Sequence, residues 1–105
     1  MAQFDIHRNT DPRTRGETPY LVNLQAEVLT ELATRVVAPM RPLSAHSQSV
    51  ISRLHPVMSV ERVEHVAFVS ELAAVPASIL GPVVASARHL RTELLAATDL
   101  LLTGF

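Results

Sequence analysis

Five histidines, ten carboxylates and a scatter of serines are the residues of this 105-residue chain that could support acid–base, metal or nucleophilic chemistry. Their spacing organises none of them into a recognisable site. A transition-metal centre needs ligands that converge, and the nearest set, Glu61, Glu64, His65 and Glu71, has the spacing of no known zinc motif. These positions read as the solvated face of a strand. His7, His46, His55 and His89 lie apart, each beside a loop or an exposed helical turn, and read as surface residues rather than bases. A serine triad needs nucleophile, imidazole and acid in a held geometry, and the chain has no G-x-S-x-G elbow, P-loop or G-x-G-x-x-G. Cysteine is absent, which removes thiolate nucleophiles, disulfides and cysteine-ligated zinc. The expectation is a non-enzyme with no catalytic residue, no metal and no cofactor.

The informative chemistry is apolar and lies near the end of the chain. Ala87, Leu90, Leu94, Ala97 and Leu101 recur at three and four residues, the clearest helical stripe in the sequence. Ser86 is placed to cap this helix and Gly104 to stop it. Leu95 and Leu102 stand seven apart on the flank of the stripe, and Leu100 sits beside Leu101, so the helix is too apolar for one narrow seam. Two readings stay open: a wide core-facing surface, or a helix and tail partly turned toward a second chain.

The elements that must position this helix read mainly as strands. Residues 3 to 7 alternate, with Phe4 and Ile6 facing one way and Gln3, Asp5 and His7 the other. Asn9, Asp11, Pro12, Gly16 and Pro19 make Arg8 to Pro19 a mobile loop. Tyr20, Val22 and Leu24 continue the alternation as a second strand. Ala26 to Ala33 has helical spacing at Val28, Leu29 and Leu32 but is short and ambiguous. Arg35 to Met40 reads as a strand whose edge lacks one ladder donor, at Pro39. Arg41 to Ser49 follows as a polar loop. Val50 to Val60 and Arg62 to Val69 form a hairpin split at Glu61 and Arg62. Leu72 to Val84, broken by Pro76, Gly81 and Pro82, is a short strand or single turns.

Composition bounds the class. Apolar residues make up 48% and charged residues 18%, with seven prolines and three glycines, so the chain has the makings of a packed core. One domain spanning residues 1–105 fits its length. No apolar run approaches the ~20 residues of a membrane span, and residues 1–10 contain no signal-peptide core, so a cytoplasmic location is the default. A net charge of −1 gives poor support for direct nucleic-acid binding and favours a protein partner. All nine basic residues are arginine, a bias better explained by GC-rich coding than by guanidinium chemistry.

Several segments together resemble the CcdB family of toxins: Gln3-Phe4, Val36-Val37-Ala38-Pro39, Leu54-His55-Pro56-Val57, and above all Val75-Pro76-Ala77-Ser78-Ile79-Leu80-Gly81. The resemblance runs without a gap from about Tyr20 to Phe105. It implies an SH3-like antiparallel β-barrel with a long C-terminal α-helix, forming a homodimer. It also implies a toxin of a type II toxin–antitoxin system that binds the A subunit of DNA gyrase and is neutralised by a CcdA-like antitoxin. The family's gyrase-binding tail falls here on Leu102, Thr103, Gly104 and Phe105. Thr103 stands where the family has tryptophan, and Phe105 where it has isoleucine. Further gyrase contacts carry over to Asp99, where asparagine is usual, and to Val28 and Leu29. The alternatives are a ribonuclease resembling MazF, which shares the barrel, and a toxin-derived module kept for its antitoxin complex and for repression at an operator.

Overall fold

The computed structural model of the chain describes residues 2–104. Seven strands form one antiparallel sheet: β1 (Asp5–Asn9), β2 (Tyr20–Asn23), β3 (Thr34–Pro42), β4 (Val57–Val60), β5 (Val63–Ala67), β6 (Ala73–Pro76) and β7 (Leu80–Ser86). Their order is β4-β5-β3-β2-β1-β7, with β6 also paired to β3, and the sheet curls into a half-barrel. A short helix, α1 (Leu43–His46), follows β3, and α2 (Arg91–Thr103) closes the fold after a single 3-10 turn at Arg88–Leu90. The fold is therefore mainly β with a C-terminal helix, as the resemblance implies.

Period-two alternation builds the core face. Phe4, Ile6, Tyr20, Val22, Ala38, Met40, Met58, Val60 and Ala67 point to one side of the sheet, where Ala87, Leu94 and Ala97 from the terminal segment meet them. Full burial of a side chain such as Ile6 or Leu94 is worth about 1.5–3 kcal/mol, so this face dominates the fold's stability.

Pro39 does not mark a sheet edge, because β3 lies between β2 on one side and β5 and β6 on the other. The N–H and C=O of one strand residue point to the same side. Val36 accepts from the Leu24 N–H at 2.9 Å, so alternate residues from Val36 face β2, and Pro39 faces away, its carbonyl taking the Phe68 N–H at 2.9 Å. On that side β6 pairs as far as Val37 and β5 pairs from Met40. The missing proline donor falls in the gap where β3 changes partner.

The β4–β5 hairpin forms with Val60 opposite Val63, leaving Glu61 and Arg62 as a two-residue turn with φ of 50° and 71°. Such a turn matches strand twist but needs left-handed backbone at both positions, at about 1–2 kcal/mol for each non-glycine residue. The tip is tied down by its own side chain. The Tyr20 hydroxyl donates to the Glu61 carboxylate, and Arg8 Nη2 lies 2.8 Å from Glu61 Oε1. The Tyr20 bond, then Arg8 and His65, hold the Glu61 carboxyl below its ordinary range.

Other boundaries move for local reasons. Arg8 and Asn9 belong to β1 rather than to the following loop, and that loop is organised by Asn9 Oδ1 and Asp11 Oδ1, which accept from the backbone N–H groups of Asp11 and Arg13. Residues 26–33 contain one 3-10 turn, Glu27–Leu29. The expected polar loop at Arg41 to Ser49 is instead the end of β3, then α1 and a 3-10 turn at Ser47–Ser49. Val50 to Pro56 is not strand, because Ile51 and His55 close a turn there. Leu72 to Val84 resolves into β6, a 3-10 turn at Ala77–Ile79 and β7. Ser86 does not cap α2, whose N-cap position is Leu90 with no side-chain cap bond; Ser86 Oγ instead accepts the Arg88 N–H at 3.2 Å, ahead of the 3-10 turn that leads into the helix.

Gly81 sits where β7 crosses β1 most closely. A Cβ there would lie 2.8 Å from Thr10 Cγ2 and 2.9 Å from the Arg8 carbonyl oxygen. The backbone oxygen cannot swing aside as a side chain can. Gly81→Ala is therefore expected to lower unfolding free energy by about 1–3 kcal/mol, measured by urea denaturation, by forcing β7 away from β1. An unchanged midpoint would show that the crossing is looser than these distances.

Candidate interaction surface along α2

Three imidazoles prove to be buried, contrary to the surface reading of His7 and His55 and the solvated reading of His65. His7 lies under the β1–β7 crossing, with Nδ1 bonded to the Gly81 carbonyl at 2.9 Å. His65 shares the core-facing parity of Ala67 and packs edge-on against Tyr20, with centroids 5.0 Å apart. His55 packs against Phe68 at 4.9 Å and contacts Ser70 Oγ at 2.7 Å. Glu61 and Glu64 are exposed as expected, and His89 is exposed.

The His55–Ser70 contact resembles a nucleophile and base, but its polarity is reversed. His55 Nδ1 accepts the Ile51 N–H at 3.0 Å, so the neutral ring carries its proton on Nε2 and donates to Ser70. A ring in that state has no lone pair for the serine proton. Among the described residues no cluster of three His, Asp or Glu groups could hold a metal ion, and no helix is long and apolar enough to cross a membrane.

The surface that remains is apolar and follows α2. Leu94 and Ala97 are buried, but the stripe ends there: Leu101, expected on the core face, is 38% exposed, and Leu102 is 70% exposed. The sheet's core face reaches only the first half of the helix. Beyond it, α2 and the residue 24–36 segment enclose a groove of about 560 Å³ whose lining includes Leu24, Leu29, Leu32, Leu72, Leu95 and Leu102. On the opposite flank, Pro56, Val57, Leu90, Ala96 and Leu100 line a second groove of about 440 Å³, with Ser52, Arg53 and Glu93.

Of the residues read from the sequence, Leu29 and Leu102 line the larger groove together, while Val28, 87% exposed, does not. Asp99 and Thr103 are exposed on the last turns, where the Thr103 hydroxyl donates to the Asp99 carbonyl at 2.7 Å. Gly104 adopts φ 83° and returns its N–H to the Leu100 carbonyl at 2.9 Å, the left-handed cap expected of it. Phe105 lies outside the described residues. Leu24, Leu32 and Leu72 were not assigned to this surface from the sequence. Leu32 carried a signal, its helical spacing from Val28 and Leu29, whereas Leu72 reaches the groove only through tertiary folding.

The macrodipole of α2, which favours acids at the N-terminus and bases at the C-terminus, meets mixed charge: Arg91 and Glu93 share the first turn, and the last turn holds no base. Packing at Leu94 and Ala97 seats the helix on the core.

The sequence pattern of the family described as CcdB protein matches residues 3–104 of the chain. No curated protein sequence matches it.

If the outer turns of α2 are free surface, truncations on the two sides must differ in cost. Leu94→Ala should destabilise by about 2–5 kcal/mol, the range for cavities left by buried leucines. Leu102→Ser should stay within about 0.5 kcal/mol of the parent, as exposed substitutions do. Chemical denaturation of the two variants checks this, and a large cost at Leu102 would mean that the groove is core.

Proposed function

Because the chain belongs to the CcdB family, and so is a toxin of a type II toxin–antitoxin system, we propose that it binds the A subunit of DNA gyrase through the outer end of α2, inhibits or poisons the enzyme, and is neutralised by a CcdA-like antitoxin. The observation that carries this reading is the overhang of α2: Leu102 is 70% exposed and Val28 87% exposed, and Leu102 shares a groove with Leu29. Monomers rarely leave aliphatic side chains clustered in water unless a partner covers them. The proposed contact set is Val28, Leu29, Asp99, Leu102, Thr103, Gly104 and Phe105. Binding requires no catalytic group or cofactor, and we read the protein as a homodimeric, cytoplasmic non-enzyme that also takes part in repression of its own operon.

A ribonuclease of the MazF kind is less well supported, because a chain of net charge −1 offers little overall attraction for a phosphate backbone.

Threonine at position 103 sets the expected strength. A central aromatic anchor commonly costs ~2–4 kcal/mol when truncated, equivalent to roughly 30- to 700-fold in affinity. Poisoning by the natural chain should therefore be feeble. Thr103→Trp, at an exposed position, should strengthen gyrase binding and gyrase-dependent DNA cleavage, whereas Leu29→Asp with Leu102→Asp should abolish both. If Thr103→Trp changes nothing and removal of residues 103–105 is also silent, the tail is not the gyrase contact. Cleavage of messenger RNA in the parallel assay would instead favour the ribonuclease.

A further inference from the structure

The His55 ring closes a turn that forms one wall of the smaller groove beside α2. Ile51 is bonded from both sides within this turn: its carbonyl accepts the N–H groups of Leu54 and His55, each at 2.8 Å, and its own N–H donates to His55 Nδ1 at 3.0 Å. Nε2 then reaches across to Ser70 Oγ at 2.7 Å, tying the turn to the 3-10 segment after β5. The ring is 4% exposed, so these bonds are not readily exchanged for water. Ser52 and Arg53 ride on the same turn, Pro56 follows it, and all three face Leu90, Ala96 and Leu100 across the groove.

We propose that His55 is an acid-sensitive latch: the neutral ring closes the 51–55 turn by accepting the Ile51 N–H at Nδ1, and protonation opens that closure, Nε2 keeping its bond to Ser70, and reshapes the groove between the turn and α2. A proton on Nδ1 puts two N–H donors face to face, and the bond from Ile51 is lost. The Ser49 backbone beside the ring favours the protonated form.

The surrounding charges leave the neutral form favoured. Burial is the largest influence and holds the imidazole below its ordinary value, against the Glu71 carboxylate and the Ser49 carbonyl, which both favour the proton. Arg41 from β3 offsets Glu71, gripping it at 2.8 and 3.1 Å while stacking over Phe68 at 5.2 Å. His46 from α1 meets the same Phe68 ring at 5.8 Å. With the folded value depressed, the latch's stabilisation is intact above the unfolded value of about 6.5 and is lost as pH falls through the folded value.

This inference does not depend on the gyrase reading, and its test needs no partner. Imidazole and backbone amide NMR of the full chain, from about pH 7.5 to about pH 5, follows the ring and the turn together. The His55 ring should titrate below about 6.5, the protection of the Ile51 amide against exchange should drop about tenfold after correction for intrinsic rates, and the Ala96 and Leu100 amides should shift with the same midpoint. His55→Asn, which can still accept from Ile51 but cannot titrate, should remove the transition, and His46→Asn should leave it in place. A pH-independent Ile51 amide, unmoved α2 amides, or the same transition in His55→Asn would overturn the latch. So would simultaneous loss of protection throughout β1 to β7, which is global unfolding. Should His55→Asn not fold, the wild-type midpoints of the ring, Ile51 and Leu100 decide alone.

Discussion

The structure depends on the seating of α2 against the core face of the sheet through Leu94 and Ala97. The half-barrel exposes a row of apolar residues on one side, Phe4, Ile6, Val22, Ala38 and Met40, and water must be kept from all of them. One helix supplies the cover, but α2 is longer than the face it covers. Its first turns complete a core, while its last turns extend past the sheet with Leu101 and Leu102 in solvent. A helix shortened to fit would be as well packed. The extra turns and the leucine-lined groove beneath them are the parts for which folding alone gives no reason.

The sheet is shaped to receive this helix by two positions where backbone, not side chain, sets the limit. Pro39 faces the point at which β3 exchanges β6 for β5, and Gly81 lets β7 cross β1 with the Arg8 carbonyl only 2.9 Å from where a Cβ would stand. Because β7 leads through Ala87 and the 3-10 turn at Arg88–Leu90 into α2, its path along β1 sets where the helix begins. The first turn of α2 carries Arg91 beside Glu93 and its last turn no base, so charge adds little and packing against its neighbours holds the helix.

Much of this was legible in the sequence wherever a periodicity ran uninterrupted. The alternation around Ile6 and Val22, the Leu90 to Ala97 stripe and the Gly104 stop each rest on local geometry that the chain carries with it. The surface residues Val28, Leu29 and Leu102 were legible through the family resemblance, but their relation to Leu24, Leu32 and Leu72 was not, since the groove exists only after distant segments meet. Four of the misread positions share one cause. Pro39, His7, His55 and His65 look like edge or surface residues by type, and each was overruled by a partner far away in sequence: Phe68 for Pro39, Gly81 for His7, Ser70 for His55 and Tyr20 for His65. The Glu61–Arg62 turn lacked the usual glycine signal because Tyr20 and Arg8 tie its tip.

The overhanging end of α2 and the segment facing it are the surface proposed to meet gyrase. The most direct measurement is amide hydrogen exchange of the chain alone and in the presence of excess gyrase A subunit. New protection is expected only at residues 27–32 and 99–104, with β4, β5 and the 51–57 turn unchanged. Protection that appears on the sheet while residues 99–104 exchange as in the free chain would contradict it, as would the absence of any footprint for both the natural chain and Thr103→Trp.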